Sequence, residues 1–160
     1  MDLQSLLFSF SGRINRAKYW FVVLINVIVP NVPALFLIGA LGESEIDPSS
    51  GLPSAASPGI WVAGVILLAI VVFSTWTTLA SSTKRLHDRE KSGWWVLVFW
   101  FGPAILIGIA GAVGDAVGSV FVVAAIALGL WGFVEIACLS GTTGPNAYGP
   151  DPLEAAAVAT

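Results

Sequence analysis

Thr83-Lys84-Arg85-Leu86-His87-Asp88-Arg89-Glu90-Lys91-Ser92-Gly93-Trp94-Trp95 decides how the rest of the chain is read. It holds four of the seven cationic residues, the single histidine and two of the seven tryptophans. A long apolar run lies on each side of it. A compact charged turn between two such runs is a connection at a membrane surface.

Composition agrees with that reading. Charged residues make up 11% of the 160-residue chain, against about 25% in an ordinary globular domain. A soluble core of this size could not hide so much apolar surface, so the natural solvent is lipid. The formal charge of −3 conceals a partition of sign, since every cation falls within residues 13–18 and 84–91. The one cysteine, Cys138, lies in an apolar run, without the companions that a disulfide or a zinc site requires. No cofactor, metal or nucleic-acid partner is expected.

Working outward, the spacing predicts an all-α integral membrane four-helix bundle in one domain, residues 1–152. The spans are expected near 19–41, 60–83, 94–112 and 117–140, with a disordered tail at 153–160. Leu3, Leu6, Leu7 and Phe10 recur at helical spacing, which predicts a short amphipathic interfacial helix with Asp2 as cap and Gly12 as stop. Arg13, Arg16 and Lys18 then lead into Tyr19 and Trp20, the aromatic entry to the first span. A signal peptide is the competing reading, but the run from Tyr19 to Leu41 exceeds the about 7–15 residues of a signal core.

Asn26, Pro30, Asn31 and Pro33 sit in the middle of that span. The two prolines free the carbonyls of Asn26 and Val29. A kink with the asparagines bonding neighbouring helices is expected. The alternative is a broken helix around a polar site, as in transporters. Residues 42–59, with Glu43, Glu45 and Asp47, read as a flexible loop without cations. Ser74, Thr78, Ser81 and Ser82 make a hydroxyl stripe along the second span, the mark of close packing or, less often, of a wet groove. Gly93 is expected to supply a left-handed turn and Ser92 a cap before Trp94 and Trp95 enter the interface. Gly102-Pro103 is expected to bend the third span, and Gly111 to Gly118 to form a turn before the fourth.

The distribution of cations predicts that both basic segments face the cytoplasm, so that the N- and C-termini lie on the same, inner side. Three polar motifs then converge on one membrane face. Arg13, Arg16, Arg85, His87, Asp88, Trp94, Trp95, Asn146 and Tyr148 are the candidate residues there for a ligand or lipid headgroup. Guanidinium groups match phosphate and carboxylate bidentately. The competing account is that the cations, Lys84, Lys91, Arg13 and Lys18 above all, fix topology and grip anionic headgroups. Glu135, Asn26 and Asn31 are the intramembrane polar candidates, Glu135 being expected to pair with Arg85 or Arg16. His87-Asp88 has the residue types of a base and its orienting acid. Adjacent helical residues do not face each other, however, so no catalytic residue is assigned.

The chain resembles the bacterial inner-membrane family known as domain of unknown function 805. The resemblance rests on Gly12-Arg13-Ile14-Asn15-Arg16 before Tyr19-Trp20, on Arg85-Leu86-His87-Asp88 and on Lys91-Ser92-Gly93-Trp94-Trp95. It also rests on Gly144-Pro145-Asn146 with Tyr148-Gly149-Pro150-Asp151-Pro152. Ala147 stands where the family usually has an arginine. The resemblance implies a small multi-pass protein of the inner membrane and no established activity.

Three functions remain open at this level. The first is a non-enzymatic binding or scaffold protein whose partners are anionic membrane lipids, another membrane protein or a second copy. The second is a small oligomeric channel or transporter that uses the first span and Glu135. The third is a lipid-modifying enzyme using His87 and Asp88.

Overall fold

The structure is a computed structural model that describes residues 2–42, 49 and 58–157. In chain order the helices are α1 (Leu3–Phe8), α2 (Arg16–Gly42), α3 (Pro58–Asp88), α4 (Trp95–Val113), α5 (Asp115–Phe133) and α6 (Pro152–Ala157), with a π turn at Val134–Cys138 between the last two. Among the described residues, four helices are long and apolar enough to cross a membrane, in α2, α3, α4 and α5 with its π turn. Backbone groups have no water to bond in a bilayer core, and the helix satisfies them within one segment. The acidic loop expected around Glu43, Glu45 and Asp47 lies outside the described residues.

The spans form two hairpins. α2 packs along α3 and α4 along α5, while the pairs meet through α3 with α4 and through the π turn with α2 and α3. α2 reaches the other hairpin through its first turns, Trp20 lying edge-on to Phe133 of α5 and Tyr19 against the cluster that holds Val96 and Phe99 of α4. The α4–α5 reversal is tighter than the turn expected over 111–118, because Gly114 turns the chain alone with φ 87°. A Cβ on Gly118 would stand 2.6 Å from the Ala110 carbonyl oxygen, so the hairpin closes only over a glycine.

α2 is continuous through Pro30 and Pro33, which overturns the broken-helix reading. Asn26 bridges two helices as expected: its Nδ2 donates to the Val22 carbonyl at 3.1 Å, and its Oδ1 accepts from Thr77 Oγ1 at 2.8 Å. Asn31 stays on its own helix, donating to the Val27 carbonyl at 2.6 Å. The hydroxyl stripe is a packing face. Thr78 and Ser81 bond back to carbonyls of their own helix, and Thr77, Ser81 and Ser82 are buried.

α1 is shorter than its apolar spacing suggested. Asp2 caps it, accepting from the Ser5 amide at 3.1 Å, and Leu6 and Leu7 are its buried residues. Gly12 is not its stop; it turns the chain four residues later with φ 87°. The helix rests on α3, with Phe8 against Phe73 and the Trp76 indole donating to the Phe8 carbonyl at 3.1 Å.

At the other end of the chain, residues 152–157 are helical, although a disordered tail was expected over 153–160; of that tail, 158–160 lie outside the described residues. Asp151 accepts from the Leu153 amide at 2.9 Å, and Pro152 fits the first helical position because the lost N–H would be unpaired there.

Candidate functional site

Among the described residues, the ion pairs gather at the end of the bundle where α3 stops. α3 runs on to Asp88, five residues past its expected end, and closes with the Lys91 and Glu90 amides bonded back to the Leu86 and His87 carbonyls. The left-handed residue of this closure is Glu90 (φ 58°), not Gly93. Gly93 is needed for closeness instead, since a Cβ there would meet Thr83 Cγ2 at 2.6 Å. Ser92 Oγ accepts from the Trp94 amide at 3.4 Å within the turn, but the cap of α4 is Trp94 and not the Ser92 expected.

The extra turn of α3 carries Arg85 and Asp88 inward, 0% and 3% exposed. Asp88 receives two guanidiniums: Arg85 NH1 lies 2.5 Å from Oδ2 and Arg13 Nε 3.1 Å from Oδ1. The remaining donors of both arginines go to backbone carbonyls. Arg85 reaches Ile14, Ile136 and Leu139. Arg13 reaches Thr142, Gly144 and Gly149. Four distant pieces of chain are thereby clasped: the segment before α2, the end of α3, the π turn and the tail. Gly141 packs so closely on the Asp88 carboxylate that no side chain could replace its hydrogen.

The π turn explains where those carbonyls come from. Its wider winding, with the Leu139 amide bonded to the Val134 carbonyl at 3.1 Å, leaves carbonyls at the helix end free of regular partners. Arg85 takes Ile136 and Leu139, Arg16 takes Cys138 at 3.2 Å, and Arg89 takes Ser140 at 2.7 Å. Cations at a helix C-terminus also complement its partial negative charge.

Glu135 sits in this turn, and the pairing expected for it with Arg85 or Arg16 is not made. It binds Arg89 at 2.7 Å and Lys91 at 2.8 Å, both on the α3–α4 connection. Arg85 is unavailable because Asp88, one turn along the same helix, is nearer. Lys91 also lies 5.9 Å from the centre of the Trp131 ring. Trp131 packs edge-on against Trp95 and Phe99, so Trp95 belongs to an aromatic cluster while Trp94 stands 77% exposed.

Several candidate headgroup ligands are therefore already occupied. Lys84 is fully buried, its ammonium donating to the Ser5 and Leu6 carbonyls at 2.8 and 2.6 Å, where it caps the end of α1. Arg13 is buried in the clasp, and Lys91 holds Glu135. His87 and Asp88 face different ways. The His87 ring stacks on Tyr148, with centroids 3.9 Å apart, and its Nδ1 contacts the Gly12 carbonyl at 3.2 Å. Asn146 ties the tail down by donating to the His87 carbonyl at 3.0 Å. The base-and-acid dyad is not assembled.

Two clefts flank the clasp. One, of about 390 Å³, lies between the start of α2 and the tail; Asn15, Arg16, Thr142 and Thr143 line it, together with Asp88 and Asp151. Arg16 is exposed there. Asn15 Oδ1 caps α2 by accepting from the Lys18 amide at 2.9 Å. Asp151 is buried and accepts from the Leu153 and Gly144 amides. The Leu153 amide does most to hold its carboxyl below the usual range; burial works the other way, and the Gly144 amide and the Arg13 charge add to the lowering. The other cleft, of about 440 Å³, lies beside His87, Tyr148 and Trp94. Among the described residues no three His, Cys, Asp or Glu side chains gather as a metal site would require.

Asp151, Arg89 and the backbone carbonyls of the tail were missed in the sequence. Asp151-Pro152 carried a usable signal, an acid before a proline at a helix start. The carbonyl partners carried none, because any residue offers a carbonyl.

The comparisons bear on the whole of this arrangement. The profile of a protein family of unknown function, DUF805, matches residues 7–150. The inner membrane protein YhaH of Escherichia coli K12 is 31% identical over 144 residues, covering 89% of this chain and 86% of that protein. The inner membrane protein YhaI of the same organism is 33% identical over 143 residues, covering 89% and 85%. The uncharacterized protein YiiR is 31% identical over 159 residues, covering 94% and 90%. No solved structure matches this chain. From the clasp residues Arg13, Arg85 and Asp88 to the tail they hold, the chain belongs to the DUF805 family of membrane proteins.

Proposed function

We propose that this is a non-enzymatic binding protein of the bacterial inner membrane that holds the phosphate of an anionic lipid in the cleft beside Arg16. The basic segments face the cytoplasm in this reading, by the positive-inside rule. The observation that carries it is the exposed Arg16 guanidinium at the rim of a 390 Å³ cleft, committed to a single carbonyl. Arg16 is the cation that lines the cleft; of the two carboxylates in its lining, Asp88 is already paired with Arg13 and Arg85, and Asp151 accepts from two backbone amides. The start of α2 adds its partial positive charge, and Thr143 adds a hydroxyl. Arg13 and Arg85, the guanidiniums favoured as ligands in the sequence, belong to the frame of the site in this reading rather than to its lining.

Native mass spectrometry of protein released from its own membrane tests this, beside Arg16→Gln. The expected result is bound anionic phospholipid on the parent and an affinity weakened by about 1 kcal/mol in the variant, roughly fivefold. Equal lipid occupancy in both would overturn the proposal. Arg16 makes one bond to the rest of the chain, so the variant is expected to keep its fold.

A further inference from the structure

The second cleft has a different chemistry. Its walls include Phe10, Leu79, Thr83, His87, Trp94 and Tyr148, and among the described residues no Lys, Arg, Asp or Glu lines it. Leu79 and the neighbouring Val96 and Leu97 belong to the spans, so the cleft opens from the polar end of the bundle onto an apolar surface.

His87 determines what the polar end of that cleft can accept. Its Nδ1 faces the Gly12 carbonyl at 3.2 Å, and a carbonyl only accepts, so Nδ1 carries the proton. In the neutral ring Nε2 is then a bare acceptor. It lies beside Gly93, a lining residue, where an added Cβ would stand 3.4 Å from it. Among the described residues no protein donor reaches it. The Tyr148 ring, parallel to the imidazole within 4°, covers one face and leaves the edge open.

An anion finds no positive charge here, and a metal ion finds one nitrogen. A ligand that donates hydrogen bonds and carries positive charge finds both an acceptor and electron-rich ring faces, Trp94 being 77% exposed. We propose that this cleft takes the primary ammonium of an ethanolamine phospholipid, with an ammonium N–H donating to His87 Nε2, an acyl chain lying along Leu79, Val96 and Leu97, and the phosphate left in interfacial water outside these uncharged walls. The site is separate from the Arg16 cleft, and its test leaves that one untouched.

The experiment uses the whole protein in nanodiscs and reads the ¹⁵N resonance of His87 Nε2. Phosphatidylethanolamine is compared with phosphatidylcholine, whose quaternary nitrogen has no N–H, and with phosphatidylglycerol, which offers hydroxyls alone. The expected result is a shift toward the hydrogen-bonded position in the ethanolamine lipid only. The same resonance in all three would overturn the proposal, and an equal shift in phosphatidylglycerol would overturn the ammonium assignment. Trp94→Leu supplies the second measurement, because that side chain is exposed and its loss should not unfold the protein. Ethanolamine lipid retained by the parent in native mass spectrometry is expected to be lost in this variant. Undiminished retention would also overturn the proposal.

Discussion

The clasp end of the bundle and its membrane-spanning middle are held together by opposite means. At the clasp, Arg13, Arg85 and Asp88 are buried and bound in a network that joins four pieces of chain. In the middle, most side chains face outward, and α2 meets the other hairpin toward its polar end, with Trp20 edge-on to Phe133 and Tyr19 against the cluster of Val96 and Phe99. Lipid tails are as apolar as leucine, so there is little hydrophobic drive to press spans together. The hairpins are therefore joined where polar groups have a strong preference for one another. Each of the two principal acids is bracketed by two cations, Asp88 by Arg13 and Arg85, and Glu135 by Arg89 and Lys91.

The sharpest way to break the contrast is Asp88→Asn. It leaves two buried guanidiniums facing a neutral amide and is expected to cost about 3–5 kcal/mol. Unfolding in bicelles would measure it, and a loss as small as that of a mid-span substitution would remove the distinction. Glu135→Gln comes next. Arg89 and Lys91 are 21% and 33% exposed, so solvent screens the pair and the loss is expected to be about 1–2 kcal/mol. In the middle of the bundle, Asn26→Leu removes the bond to Thr77 and is expected to cost about 0.6 kcal/mol. A value as large as that of Asp88→Asn would mean that the spans, not the clasp, set the association.

Acid gives the gentlest test. The Asp151 carboxyl is held below its ordinary value of 3.8, so its contribution is complete above about pH 4 and is lost as pH falls through the lowered value. Hydrogen exchange at the Gly144 and Leu153 amides is expected to quicken there before the spans respond. Simultaneous loss of both would make the tail inseparable from the bundle.

The difference between the two regions also explains what could be read from the sequence. The spans were legible because hydropathy and helical length are properties of neighbouring residues. So were the members of the polar end, since Arg13, Arg85, His87, Asp88 and Asn146 do meet there. Partner choice was not legible. Glu135 with Arg89 and Lys91, and Arg13 with the carbonyls of residues 142–149, depend on how segments 44–136 residues apart approach in space. Nothing in Val134-Glu135-Ile136-Ala137-Cys138 announces a π turn, yet that turn presents the carbonyls the arginines hold. Lys84 was read as a surface cation because its destination, the end of α1, is a backbone feature without a residue type of its own.

The clasp also imposes an order on biosynthesis. Arg13 is made early, but the carbonyls it binds belong to residues 142, 144 and 149. The ribosome must therefore finish all four spans before that arginine can reach its final partners. Lys84, by contrast, finds Ser5 and Leu6 as soon as α3 is in place. The α1–α3 half can thus settle during translation, whereas full closure is the last event in assembly.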